Sequence, residues 1–255
     1  MFKISIAPEE IDNLPLGWFP GQIKVIDKPG IEYDKAIFYL RRQKILGFDT
    51  ESRPVFSPGQ HGNGVALLQL SGPEKAYLFR TGMLGMRKSL CSILSNEKII
   101  KVGAASLDDV RGLQKLHGFK AAGFIDLQKI AWEWGIRDKS VKKLAANILG
   151  CRISKAQQLS NWEAQELTEA QCRYAATDAW VCREMYIRLL ASEKHPLTPE
   201  EQMPPQDRIA REQALARKEA NIQAQKAQAA RARRRRRKKK TASNNDKADT
   251  KEGQG

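Results

Sequence analysis

The apolar and polar positions of this chain divide it into four stretches. The first 30 positions carry Pro8, Pro15, Pro20 and Pro29 and one strand-like run at Ile23–Ile26. This part reads as an extended arm that adds an edge strand. Ala36, Ile37, Phe38 and Leu40 have helical spacing within Glu32–Gln43. Three short apolar runs follow at Ile45–Phe48, Val65–Leu70 and Ala76–Phe79, with turn residues such as Gly72 and Pro73 between them. They predict strands of an antiparallel meander. Helix and strand then alternate: helix at Met86–Leu94, strand at Ile99–Gly103, helix at Asp109–His117 with Gly118 as its C-cap, strand at Phe124–Leu127, and helix at Val141–Leu149 stopped by Gly150. Thr168-Glu169-Ala170-Gln171 has the form of a capping box and opens a long helix to about Leu190. Strands first and alternation afterwards predict an α/β fold whose mixed sheet is flanked by helices.

After His195 the pattern changes. Pro196, Pro199, Pro204 and Pro205 mark residues 195–205 as a linker. From 206 to 255 the chain is rich in Ala, Gln, Arg and Lys without a wide apolar face. It reads as either a solvated helix or a disordered segment. The expected organisation is an arm (1–30), a catalytic-sized domain (31–194), a linker and a basic tail.

Charge sharpens this division. The 255 residues carry a net charge of +15, which suits a polyanionic partner. Sixteen Lys+Arg stand against eight Asp+Glu from Pro196 onward, so the tail is far more basic per residue than the rest. Arg231, Arg233, Arg234, Arg235, Arg236, Arg237, Lys238, Lys239 and Lys240 form its block. Nonspecific phosphate binding is the favoured role, with a solvated tail or a nuclear address as alternatives. Cys91, Cys151, Cys172 and Cys182 include no CxxC pair and the three histidines are scattered, which argues against structural zinc and for reduced intracellular thiols. The N-terminus lacks the apolar run of a signal peptide, and no run of 18 apolar residues predicts a membrane span. The expected compartment is cytoplasmic in a bacterium, with a nuclear location open in a eukaryote.

Three segments carry candidate chemistry. Asp49 and Glu51 are two apart at a strand end, so both side chains face one way. Two adjacent carboxylates repel unless a cation lies between them, and an all-oxygen set suits Mg²⁺ or Mn²⁺. Ordinary strand-end polarity is the plainer reading of this pair alone. Tyr174 and Asp178 are four apart in the predicted long helix, one turn from each other on one face. Asp108 and Asp109 stand where a strand gives way to a helix, where the helix dipole alone favours acids.

Taken in order, these segments resemble the DEDD superfamily of 3′→5′ exonucleases in its tyrosine-containing branch. The nearest likeness is to the Werner-type exonuclease domain; ribonuclease D and polymerase proofreading domains are more distant. Val65–Leu70, Ser160-Asn161-Trp162 and Leu167–Gln171 add to the match, which spans about Ile23 to Leu190. The resemblance implies a ribonuclease H-like fold and hydrolysis with two divalent cations, Mg²⁺ or Mn²⁺. It implies that Asp49 bridges both metals, Glu51 and Asp178 complete the tighter site, Asp109 holds the second, and Tyr174 orients the attacking water. Counting from Gly103 in the family pattern selects Asp109 and leaves Asp108 as the helix cap. The implied partner is nucleic acid with a 3′ end. DNA, with a role in repair, is favoured over RNA because ribonuclease D members usually carry a further helical domain where this chain has a polar tail. RNA 3′ processing and an inactive binding module are the alternatives. Arg53, in the loop after the acidic pair, is a candidate substrate contact or an ordinary loop residue. Trp162 reads as packing ahead of base stacking, and Trp132, Trp134 and Trp180 read as packing. Protein partners are not legible.

Overall fold

The computed structural model describes residues 1–52 and 64–249, with side chains up to 229. Arg53 and the rest of the loop after the acidic pair lie outside the described residues, as do the side chains of Arg231 and of 233–240. Two compact units are present, Met1–Thr198 and Pro199–Gly255. In chain order the first contains α1 (Pro8–Asp12), β1 (Gln22–Ile26), α2 (Ile31–Arg41), β2 (Ile45–Ser52), β3 (Val65–Ser71), β4 (Lys75–Arg80), α3 (Thr81–Leu84), α4 (Lys88–Leu94), β5 (Ile100–Gly103), α5 (Ser106–Leu116), β6 (Phe124–Asp126), α6 (Leu127–Ile130), a 3₁₀ turn at Ala131–Trp134, α7 (Val141–Leu149) and α8 (Glu169–Leu190). The second contains α9 (Pro199–Gln202) and α10 (Pro205–Asp249). The basic block therefore falls within a helix rather than an irregular segment; Ile209, Leu215 and Ile222 of that helix are exposed.

The six strands are ordered β1-β4-β3-β2-β5-β6. β2, β3 and β4 form the antiparallel meander expected from the three apolar runs. β5 and β6 continue beside β2 in parallel, and β1 adds a parallel edge to β4. This mixed sheet bears out the fold class expected from the pattern of strands followed by alternation.

Alternation along the central strands sends side chains to two different cores. Leu46 and Phe48 of β2, with Leu68 and Leu70 of β3, pack under α2 and α4. Leu67 of β3 and Leu78 of β4 face α8 and meet Trp162, Ala175 and Ala176. Small residues let α8 lie close to the sheet. A Cβ on Gly47 would stand 1.8 Å from the Ala179 carbonyl oxygen, so only glycine permits this approach. Arg183 Nε donates to Ile45 O at 3.2 Å and fastens the same contact further along.

Helix ends follow the sequence in two places and depart from it in two. Thr168 accepts from Gln171 N–H in a reciprocal capping box, and Gly150 closes α7 at φ 69°. Asp108, however, is not a cap. α5 starts at Ser106, because Ala105 takes the left-handed conformation (φ 57°) and donates its N–H to Asp126 Oδ1 at 3.0 Å. Asp108 thus sits inside the first turn, exposed and paired with Arg111 at 3.0 Å. Gly118 is not a C-cap either: the chain turns extended at His117 (φ −157°, ψ 127°) and leaves the helix without a left-handed residue. Of the tryptophans, Trp162 and Trp134 are buried and Trp180 packs against Phe19. Trp132 corrects the packing expectation, since it is exposed and is held by its Nε1 donating to Lys129 O at 2.9 Å.

Candidate active site

β2 carries the first two acids. Asp49 and Glu51 project from the α8 side of the strand, the side that Gly47 leaves open. α8 brings the third. Asp178 directly precedes Ala179, whose carbonyl seats on Gly47, so the close approach of helix and strand delivers Asp178 to Asp49. One carboxylate oxygen from each of Asp49, Glu51 and Asp178 lies within 4.8 Å of the other two. Tyr174, one turn earlier on α8, hydrogen-bonds the Asp178 carboxylate through its hydroxyl.

Asp109 arrives from the other side. Thr50, between the two acids of β2, points away from them and donates its hydroxyl to Asp109 Oδ1 at 2.6 Å. Asp109 therefore stands outside the close trio while its charge still reaches Asp49 and Glu51. Its place depends on Asp126, which holds the turn at Ala105 and also accepts from Gln128 N–H at 3.0 Å.

The electrostatics follow from this crowding. Burial and then the neighbouring charges of Asp178, Glu51 and Asp109 push the Asp49 carboxyl well above the usual carboxylate range. Burial with Asp178 and Asp109 lifts Glu51 to about 8. Asp178 is raised to about 7 by burial, against the Tyr174 hydrogen bond and the Lys155 cation, which pull it down. Asp109 is also raised by burial, opposed by the Thr50 hydroxyl. Burial, then Asp178 and Glu51, drive the Tyr174 phenol above its ordinary value, so it stays a neutral donor. At neutral pH such a cluster either keeps protons or takes up a cation, and an all-oxygen donor set of this span fits a hard divalent ion.

Asp49, Glu51, Tyr174 and Asp178 thus meet in one place, with Asp109 at its edge. Four contributors were not found from the sequence: Gly47, Thr50, Asp126 and Lys155. Gly47 and Thr50 flank Asp49 in Gly47-Phe48-Asp49-Thr50-Glu51, and a glycine inside an apolar strand is a signal of close backbone approach. Asp126 and Lys155 leave no local signal, because each acts on a segment distant in the chain. Beneath the site, Gln69 pairs in register with Asp49, is fully buried, and has no hydrogen-bond partner for its amide atoms among the described residues.

A mixed six-stranded sheet with acids at the end of a central strand and on a facing helix has the ribonuclease H-like architecture. Escherichia coli RNase D shares this fold, with a TM-score of 0.60 at 23% identity over 67% of this chain and 44% of that chain. A family model described as 3′-5′ exonuclease matches residues 30–192, and the chain belongs to that family of hydrolytic exonuclease domains. Among curated relatives, the mouse (Mus musculus) bifunctional 3′-5′ exonuclease/ATP-dependent helicase WRN is 32% identical over 193 residues, 70% of this chain and 13% of the relative. Ribonuclease D of Gluconacetobacter diazotrophicus is 31% identical over 153 residues, 59% of this chain and 38% of the relative. The match therefore spans well under half of either relative. Exonucleases of this family typically use divalent metals, and the Asp49, Glu51 and Asp178 cluster is consistent with that use. No described helix is long and apolar enough to cross a membrane.

Proposed function

We propose that this chain hydrolyses terminal phosphodiester bonds of a nucleic acid from its 3′ end, with two divalent cations, Mg²⁺ or Mn²⁺. The observation that carries the reading is the trio of carboxylate oxygens within 4.8 Å beside a tyrosine hydroxyl bonded to one of them. Asp49, Glu51 and Asp178 would hold the tighter cation, and Asp49 with Asp109 the second. When bound, such a pair supplies charge that stabilises the attacking and leaving oxygens.

The remaining work falls to the protein. Tyr174 is a neutral donor whose hydroxyl, anchored on Asp178, orients a water beside the scissile phosphorus. Lys155 adds positive charge on the Asp178 side and offsets the phosphate. Thr50 fixes the rotamer of Asp109 through one short hydrogen bond. Gly47 sets the depth at which α8 delivers Tyr174 and Asp178.

A DNA strand is the proposed substrate, supported by the segment-by-segment likeness to the Werner-type domain. RNA is the second reading, favoured by the ribonuclease D relative and by the E. coli neighbour, an exoribonuclease involved in structured RNA processing. The cations of α10 are proposed to tether either strand through its phosphates without reading sequence. One comparison tests the reading: 5′-labelled 3′-recessed DNA, single-stranded DNA and structured RNA, each with Mg²⁺, Mn²⁺ and a chelator, for the native chain and Asp49→Asn. Stepwise mononucleotide release that needs metal and falls at least ~10²-fold in Asp49→Asn is expected. A fully active Asp49→Asn protein overturns the mechanism.

A further inference from the structure

The segment Leu14–Phe19, upstream of the residues matched by the family model, is anchored hard against the candidate site. Gly17 N–H donates to Arg152 O at 2.9 Å, Arg152 N–H returns to Pro15 O at 3.0 Å, and Arg152 Nε reaches Leu14 O at 3.1 Å. A Cβ on Gly17 would stand 2.9 Å from Cys151 Sγ, so this seat is as close as glycine allows. On the other side Phe19 is buried, its N–H donates to Thr177 Oγ1 of α8 at 3.0 Å, and its ring lies 6.0 Å from that of Trp180.

Between these anchors stands Trp18, 51% exposed. A large aromatic side chain gains most when it is covered, and here a rigid segment holds one half in water. Trp18 borders a cavity of about 230 Å³ whose walls also include Leu16, Ala156, Arg173, Tyr174 and Asp178. Tyr174 and Asp178 belong to the candidate active site, so cavity and site share a wall. The volume is below the ~300–1,000 Å³ typical of pockets for larger ligands, and suits one flat ring system with its sugar. Arg173, exposed and paired with Glu169 at 2.5 Å, adds a guanidinium beside it.

We propose that Trp18 is a stacking platform for the 3′-terminal nucleobase of the substrate strand. The proposal rests on the exonuclease reading above and adds to it a binding residue from outside the stretch, residues 30–192, that the family model matches. The chemistry that would recognise the ligand is a π face against the indole, with the phosphodiester of the same residue at Tyr174 and Asp178.

The test uses the full chain with Mg²⁺ and two single strands that differ only at the 3′ end: one ends in thymidine, the other in an abasic tetrahydrofuran residue that keeps the 3′-OH. Stacking of one base on an aromatic ring corresponds to roughly 5- to 150-fold in affinity. The native chain should prefer the base-bearing end by a factor in that range, expressed mainly in KM. Trp18→Ala should collapse the ratio of kcat/KM values toward one, and Trp18→Phe should restore much of it. An unchanged ratio in Trp18→Ala overturns the proposal. An equal loss on both strands also overturns it, since Trp18 would then only support the arm. Native protein that digests the thymidine strand but shows no preference removes the stacking role and leaves the exonuclease reading standing. Native protein that digests neither strand, and releases no nucleotide from structured RNA under the same conditions, removes both.

Discussion

The contact of α8 with β2 at Gly47 is the most exposed point of this architecture to experiment. Gly47→Ala adds one methyl group 1.8 Å from the Ala179 carbonyl oxygen and 2.6 Å from its carbon. Both partners are backbone, so no side chain can swing aside. Reaching even 3.0 Å requires helix and strand to part by about 1.2 Å, the difference between those two separations. Ala179 follows Asp178 directly, so that movement is imposed on the carboxylate which stands within 4.8 Å of Asp49 and Glu51. Misplacement of reacting groups by about 1 Å costs on the order of 10²-fold in rate. Overpacking of this kind also destabilises by about 1–3 kcal/mol, roughly 2–12 °C in melting temperature for a domain of this size. Gly82→Ala is the matched control, because nothing lies within 4 Å of a Cβ there; it should stay within about 0.5 kcal/mol of the native chain. The assay is kcat/KM for mononucleotide release, with thermal melts in Mg²⁺ and in chelator. Native activity and stability in Gly47→Ala would refute the argument that glycine sets the depth of α8.

Three further outcomes are expected. Asp109→Ala should remove most activity, whereas Asp108→Ala, which loses only an exposed pair with Arg111 worth about 0.2–1 kcal/mol, should leave it nearly intact; a paired rate measurement showing the reverse would move the second metal acid to Asp108. Tyr174→Phe should lower the single-turnover rate with little change in metal affinity, and equal rates would reduce Tyr174 to packing. The metal-free protein should lose stability as pH rises: Glu51 (about 8) and Asp178 (about 7) are raised above their ordinary 4.5 and 3.8, so the stability they contribute is complete below about 4 and lost as pH climbs through 7–8. Melting temperatures in chelator should therefore fall between pH 5 and pH 8, and saturating Mg²⁺ should remove most of that fall; a flat chelator profile would argue against the crowded cluster.

The sequence by itself determined the elements that rest on local periodicity and capping. β2–β4 as a meander, α7 ending at Gly150 and α8 opening at Thr168 follow from spacing within a few residues, because hydrogen bonds and burial at those points are local. It also placed Asp49 with Glu51, and Tyr174 with Asp178, on single faces, since strand and helix periods act over two and four residues. Joining those two pairs needed the family resemblance, because nothing within either segment refers to the other. Only the tertiary structure showed what joins them physically: a missing side chain at Gly47 that lets α8 rest on β2. It decided the start of α5 as well. Ala105 enters the left-handed conformation because Asp126, on the next strand, holds its N–H, and that shift turned Asp108 from an expected cap into an exposed residue of the first turn. The seat of Gly17 on Arg152 and of Phe19 on Thr177, which fixes Trp18 between them, belongs to the same class: contacts between segments more than a hundred residues apart, set by close packing rather than by any period in the chain.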